Sequence, residues 1–112
     1  MEPRAMLPVN RHRGEIGAVL DGRPYKLCLT LRSLAELEGA FGVDDLGALA
    51  SRFSRGSVSA SDIEIILAAG LRGGGHEIAP EMVGDMRIEG GAAGYARLCA
   101  ELLEATFGAP SA

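Results

Sequence analysis

Four side chains have the types that do chemistry: Cys28 and Cys99 as thiols, and His12 and His76 as bases or ligands. A zinc site needs three or four convergent donors. Neither histidine has a second histidine or a cysteine one helical turn away, and Glu77 is merely adjacent to His76. Cys28 falls in an expected strand and Cys99 on the apolar stripe of an expected helix, where a free cysteine usually packs as a small hydrophobe. A reactive thiolate needs a cationic neighbourhood, and only Lys26 shares a strand face with Cys28. The paired carboxylates Glu36 and Glu38, Asp44 and Asp45, and Asp62 and Glu64 read as helix-start and surface charges. The expectation is therefore no catalytic, cofactor or metal residue, no cofactor, no small-molecule substrate, no enzymatic activity and no Cys28–Cys99 bridge.

The run Gly70-Leu71-Arg72-Gly73-Gly74-Gly75 invites comparison with a phosphate loop. Such a loop follows a strand and opens a helix, so that amide N–H groups converge on the anion. Here the glycines follow a helical pattern and no Gly-Lys-Ser/Thr closes them, so they read as a helix stop. Residues Asp44 to Leu71 can also be aligned with a helix-turn-helix. The would-be recognition helix carries Asp62 and Glu64 near its start and Arg72 only at its end, which would set carboxylates against phosphates.

The elements that must position these residues follow from periodicity. Ile16, Ala18 and Leu20 alternate with Glu15, Gly17 and Val19; beyond Asp21-Gly22, Tyr25, Leu27, Leu29 and Leu31 alternate with Lys26, Cys28 and Thr30. Asp-Gly between alternating runs predicts a β-hairpin. A loop of Asp21-Gly22 and one of Asp21 to Pro24 have the same parity and give the same apolar face. A lone hairpin is marginal in water, so helices must cover that face. The first helix starts near Thr30 or Ser33, with Ser33 and Glu36 as a capping box and Thr30 as the competing N-cap. Leu34, Leu37 and Phe41 form its stripe and Gly42 its stop. The second starts at Asp44 or Asp45, carries Leu46, Leu49, Ala50 and Phe53, and stops before Gly56. The third is capped by Ser59 with Asp62 at N3, and Val58 and Ile63 are spaced as a hydrophobic staple. Its stripe of Ile63, Ile66, Leu67 and Leu71, with Ile65 beside it, marks it as the most buried helix. Pro80 opens a fourth helix carrying Met82, Val83 and Met86 and ending at Gly90-Gly91. The last runs from about Ala92 to Phe107. The fold class expected is α+β: an N-terminal antiparallel hairpin followed by about five short helices packed on one face.

Length and charge bound the rest. A chain of 112 residues fits one domain, set here at residues 14–108 between an N-terminal tail, 1–13, and a C-terminal tail, 109–112. The net charge is −4 and the basic residues form no dense run, which argues against nucleic acid as a partner. Pro3, Arg4 and Pro8 interrupt any signal-peptide core and no run reaches a membrane span. The expectation is a cytoplasmic protein with no membrane partner.

The order of the pieces carries a resemblance: Arg13-Gly14-Glu15, then Leu20-Asp21-Gly22-Arg23, then Leu29-Thr30-Leu31-Arg32-Ser33-Leu34-Ala35-Glu36-Leu37-Glu38, then Ala69 to Gly75, and finally Glu89-Gly90-Gly91-Ala92-Ala93. From about Asn10 to Gly108 the chain resembles the small tail proteins of gene transfer agents and siphophage-like prophages, named variously as tail assembly chaperone-like or tail tube-associated proteins. The resemblance implies a tail assembly factor that binds the tape measure protein in the bacterial cytoplasm before tube subunits polymerise. The alternatives are a structural component of the tail tube or its end, bound to the tail tube protein and carried in phage-like particles, and a DNA-binding regulator. The resemblance brings no catalytic or binding residues. Met82 and Met86, flexible and apolar on a weak helix, are the candidate partner-binding side chains.

Overall fold

The computed structural model describes residues 9–54 and 58–108. An antiparallel hairpin of β1 (Glu15–Leu20) and β2 (Arg23–Cys28) leads five α-helices among the described residues: α1 (Leu31–Phe41), α2 (Leu46–Ser54), α3 (Ala60–Gly73), α4 (Pro80–Gly84) and α5 (Gly91–Phe107). The architecture is α+β, as the periodicity requires.

The hairpin loop is the two-residue one. Leu20 pairs with Arg23 and Ile16 with Leu27. Asp21 and Gly22 both take positive φ, 54° and 75°, the combination a type I′ turn demands and the one that matches strand twist. Ile16, Leu20 and Leu27 are fully buried, each worth about 1.5–3 kcal/mol relative to exposure. The turn is tied down from outside: Asp21 N–H donates to the Arg87 carbonyl at 2.8 Å, and Arg87 N–H returns a bond to Asp21 Oδ1 at 2.8 Å.

Helix α3 is central and contacts β2, α1, α4 and α5. Every residue from Ile66 to Leu71 is buried, so neither the apolar stripe nor its small neighbours Ala68, Ala69 and Gly70 face solvent. Ser59 Oγ accepts from Asp62 N–H and Asp62 Oδ2 accepts from Ser59 N–H, both at 3.1 Å. At the other end Gly75 N–H bonds to the Arg72 carbonyl and His76 N–H to the Leu71 carbonyl, with Gly75 at φ 101°. That is a Schellman motif.

Several expectations change. Thr30, not Ser33, caps α1; Ser33 N–H donates to Thr30 Oγ1 at 3.1 Å, and the Ser33 hydroxyl is buried and donates to the Ala69 carbonyl at 3.2 Å. Leu31 therefore leaves the strand alternation and stands 76% exposed at the first turn of α1. Glu15, expected on the outer face, is buried because its carboxylate accepts from Asn10 N–H at 2.9 Å and lies 3.8 Å from Arg13 Nε. The same contacts make Arg11–Arg13 a 3-10 turn, capped by the Asn10 side chain, where a tail was expected; residues 1–8 and 109–112, the rest of the two expected tails, lie outside the described residues. Lys26 is half-buried rather than exposed. Helix α4 stops at Gly84 and leaves Met86 in the connection that follows. Tyr95 holds that connection, its hydroxyl donating to the Met86 carbonyl and lying 3.3 Å from the Val83 carbonyl.

Candidate functional site

The four chemically capable side chains are not brought together. Cys28 is half-buried beside Arg13, its Sγ 3.7 Å from the Arg13 carbonyl. Burial first, and then the Glu15 carboxylate, push its pKa up, outweighing Arg13 and Lys26. Burial pushes Cys99 further, to about 12. Both thiols are free and neither is poised as a thiolate. His12 sits in the exposed 3-10 turn. His76 is half-buried; its Nε2 accepts the Lys26 backbone N–H at 3.3 Å and its ring meets Tyr25 edge-on with centroids 4.9 Å apart. Among the described residues no cluster of three or more His, Cys, Asp or Glu could hold a metal, and no helix is long and apolar enough to cross a membrane.

The glycine run is structural. A Cβ on Gly73 would collide with the Cys28 carbonyl oxygen, and one on Gly74 with that of Lys26. The end of α3 thus lies backbone-to-backbone against the outer edge of β2, and its N–H groups are spent on the helix cap rather than on an anion. Arg72 braces the same corner, bonding the Ile78 carbonyl at 3.0 Å and Glu36 at 2.9 Å. These engagements, with the burial of Ile66 to Leu71, fix the C-terminal half of α3 in the core.

What the surface does offer is concavity without reactive groups. An apolar groove of about 460 Å³ opens between α2, the start of α3 and α5. Phe53, Val58, Ile63, Cys99, Leu103 and Phe107 line it, and Glu104 is the one charged group at its wall among the described residues. On the α2 side, Phe53 meets Phe41 edge-on at 5.2 Å, and Arg52 lies over the Phe41 ring while pairing with Asp62 at 3.2 Å. The sequence placed Phe53, Ile63, Cys99 and Phe107 on core-facing stripes and Val58 in a staple, and did not single out Leu103; the groove arises between α2, the start of α3 and α5, which helical spacing does not reveal. A second, more polar groove runs along β1, between Gly17, Val19 and the Arg87–Glu89 segment and α5. Met82 is 49% exposed and accepts the Ala79 N–H at its sulfur at 3.5 Å, whereas Met86 is half-buried against the core. Neither methionine lines either groove.

The fold and its surfaces define a small helix-and-hairpin domain whose surface carries one apolar groove and one more polar groove. The family model described as "Phage tail tube protein, GTA-gp10" matches residues 13–109, and the chain belongs to this family of gene transfer agent and phage tail proteins. No curated protein and no solved structure matches it.

Proposed function

We propose that this chain is a structural component of a phage-like tail, held in the tail tube or at its end by contacts with other tail proteins. Membership of the tail tube family over residues 13–109 carries the reading. The apolar groove supplies a fitting contact surface. A helix laying an apolar stripe against Phe53, Ile63, Leu103 and Phe107 would bury area otherwise open to water, and a basic flank on that helix would meet Glu104. Binding through such a surface needs no reactive group and depends weakly on salt, unlike a phosphate-driven contact.

The groove also suits a second reading, an assembly chaperone that binds an apolar helical segment of the tape measure protein in the cytoplasm. Quantitative mass spectrometry of purified particles separates the two. A structural component is recovered at a fixed ratio to the tail tube protein. Absence from particles, together with co-purification with the tape measure protein from lysates at low and high salt, replaces the structural role with the chaperone role.

A further inference from the structure

The hairpin has two outer edges, and the chain treats them differently. In a two-residue I′ hairpin the residues flanking the turn bond each other, so Leu20–Arg23, Ala18–Tyr25 and Ile16–Leu27 are the hydrogen-bonded pairs. The peptide groups of Pro24, Lys26 and Cys28 consequently point away from β1. That edge is largely covered: Pro24 has no N–H, Lys26 N–H is taken by His76 Nε2, and Gly73 and Gly74 press on the Cys28 and Lys26 carbonyls.

On β1 the outward peptide groups belong to Glu15, Gly17 and Val19. Glu15 N–H is taken by the Asn10 carbonyl at 3.2 Å. Gly17 and Val19 have no backbone partner on that side among the described residues, and both are exposed. No proline, lysine or bulge guards this stretch, although those are the usual defences of a free edge. It opens into the groove whose far wall is α5, lined by Ala18, Ile88 and Leu98 and by Arg97 and Glu101 one helical turn apart. Neither Arg97 nor Glu101 has an ion-pair partner among the described residues.

The geometry points to β1 as a dimerisation edge that pairs antiparallel, about a two-fold axis at Ala18, with β1 of a second copy of this chain. Centring the pair on Ala18 sets Gly17 against the partner subunit's Val19 and Val19 against the partner subunit's Gly17, so every outward N–H and C=O of the two residues finds its complement. The central Ala18 pair is then a non-hydrogen-bonded one, where side chains stand closest and small residues fit. The charges choose a second copy as the occupant. A two-fold axis reverses α5, so Arg97 faces the partner subunit's Glu101 and Glu101 faces the partner subunit's Arg97. A groove carrying one charge of each sign, a helical turn apart, is complementary to itself. The surface is independent of the apolar groove and of which tail role the chain performs.

The test is light scattering across a concentration series on the full chain. The wild type should double its mass as concentration rises. Arg97→Glu and Glu101→Arg should each weaken dimerisation by about tenfold or more, because each sets like charges opposite one another twice. The double variant should recover it, and an equimolar mixture of the two single variants should form heterodimers. Val19→Pro removes an outward N–H and no hairpin bond, so it should abolish the dimer while keeping the circular dichroism of the wild type; should it fail to fold, the charge reversals decide. A wild type that stays monomeric throughout would overturn the proposal, as would charge reversals without effect. So would a chain beginning at Val9 that no longer dimerises, since residues 1–8 would then make the contact.

Discussion

His76 Nε2 accepts the backbone N–H of Lys26 at 3.3 Å across fifty positions of sequence. Accepting at Nε2 places the ring proton of the neutral imidazole on Nδ1. The bond closes a peptide group that a two-stranded sheet would otherwise leave open, and it does so from the connection that follows α3. Sheet edge and central helix are thereby one unit: Gly73 and Gly74 bring the α3 backbone against β2, the Schellman cap turns the chain at Gly75, and His76 reaches the strand. Within the glycine run, Gly73 and Gly74 allow the close approach and Gly75 supplies the left-handed turn.

That relationship predicts unequal glycines. Gly73→Ala and Gly74→Ala each drive a Cβ into a carbonyl oxygen of β2, and the backbone must move to admit it. Each should cost about 2–4 kcal/mol or prevent folding. Gly39, inside α1, has nothing within 4 Å of the added carbon. Gly39→Ala should stabilise by about 0.5–1 kcal/mol through helix propensity. Urea melts of the three variants check the ordering, and equal behaviour at Gly39 and Gly74 would refute the packing argument.

The hairpin register makes a second prediction. Leu27 is fully buried and pairs with Ile16, so Leu27→Ala should cost about 2–5 kcal/mol and Leu27→Asp more, since it buries an unpaired charge. Lys26→Asp leaves the backbone N–H that binds His76 in place and should cost far less than either. Denaturant midpoints that fall equally for Leu27→Asp and Lys26→Asp would refute the register.

Much of this was legible in the sequence, for identifiable reasons. Period-two alternation and Asp-Gly fixed the faces of β1 and β2, and Ser59 with Asp62 located the start of α3, because both signals are local. The loop length was open because both candidate turns share parity; the positive φ of Asp21 and Gly22 decided it. What failed was tertiary. Ser33 has the spacing of a capping box with Glu36, yet the Ala69 carbonyl, thirty-six residues on, claims its hydroxyl. Glu15 was placed outward by alternation, yet Asn10 and Arg13 fold back over it. The grooves were not legible at all, since each is a gap between helices whose separation no single element encodes.

Cys99 offers a chemical prediction. Burial holds its pKa near 12, against 9.0 for an ordinary thiol. At pH 8 it should resist alkylation in the folded chain and react only on unfolding, with Cys28 intermediate. The linkage has a definite sign. Between pH 9 and 12 the unfolded chain loses the thiol proton while the folded chain keeps it, so the unfolded state binds fewer protons and stability falls as pH rises. Below pH 9 the contribution is fully present. Melting temperatures measured from pH 7 upward should therefore decline beyond about pH 9, and a Cys99→Ala variant should lose that part of the slope.

The last prediction concerns how the chain meets its tail partners. If the groove between α2, α3 and α5 is the contact, a charge placed in it should block association without unfolding the domain. Ala100 lines the groove and is exposed, so Ala100→Glu sits on the surface of α5 and should shift stability by no more than about 0.5 kcal/mol. It sets a carboxylate where the partner's apolar stripe would lie, and association would have to bury that charge without a partner. Leu31→Glu is the matched control: Leu31 is 76% exposed on α1 and lies outside the groove. A third variant, Met82→Glu, tests the exposed methionine of α4. In a producing strain, Ala100→Glu should lower recovery of the chain with other tail proteins by at least tenfold, while Leu31→Glu should leave it unchanged. Loss with Met82→Glu and retention with Ala100→Glu would move the contact from the α5 groove to α4, because the two sites are separate and only one of them would then carry the partner.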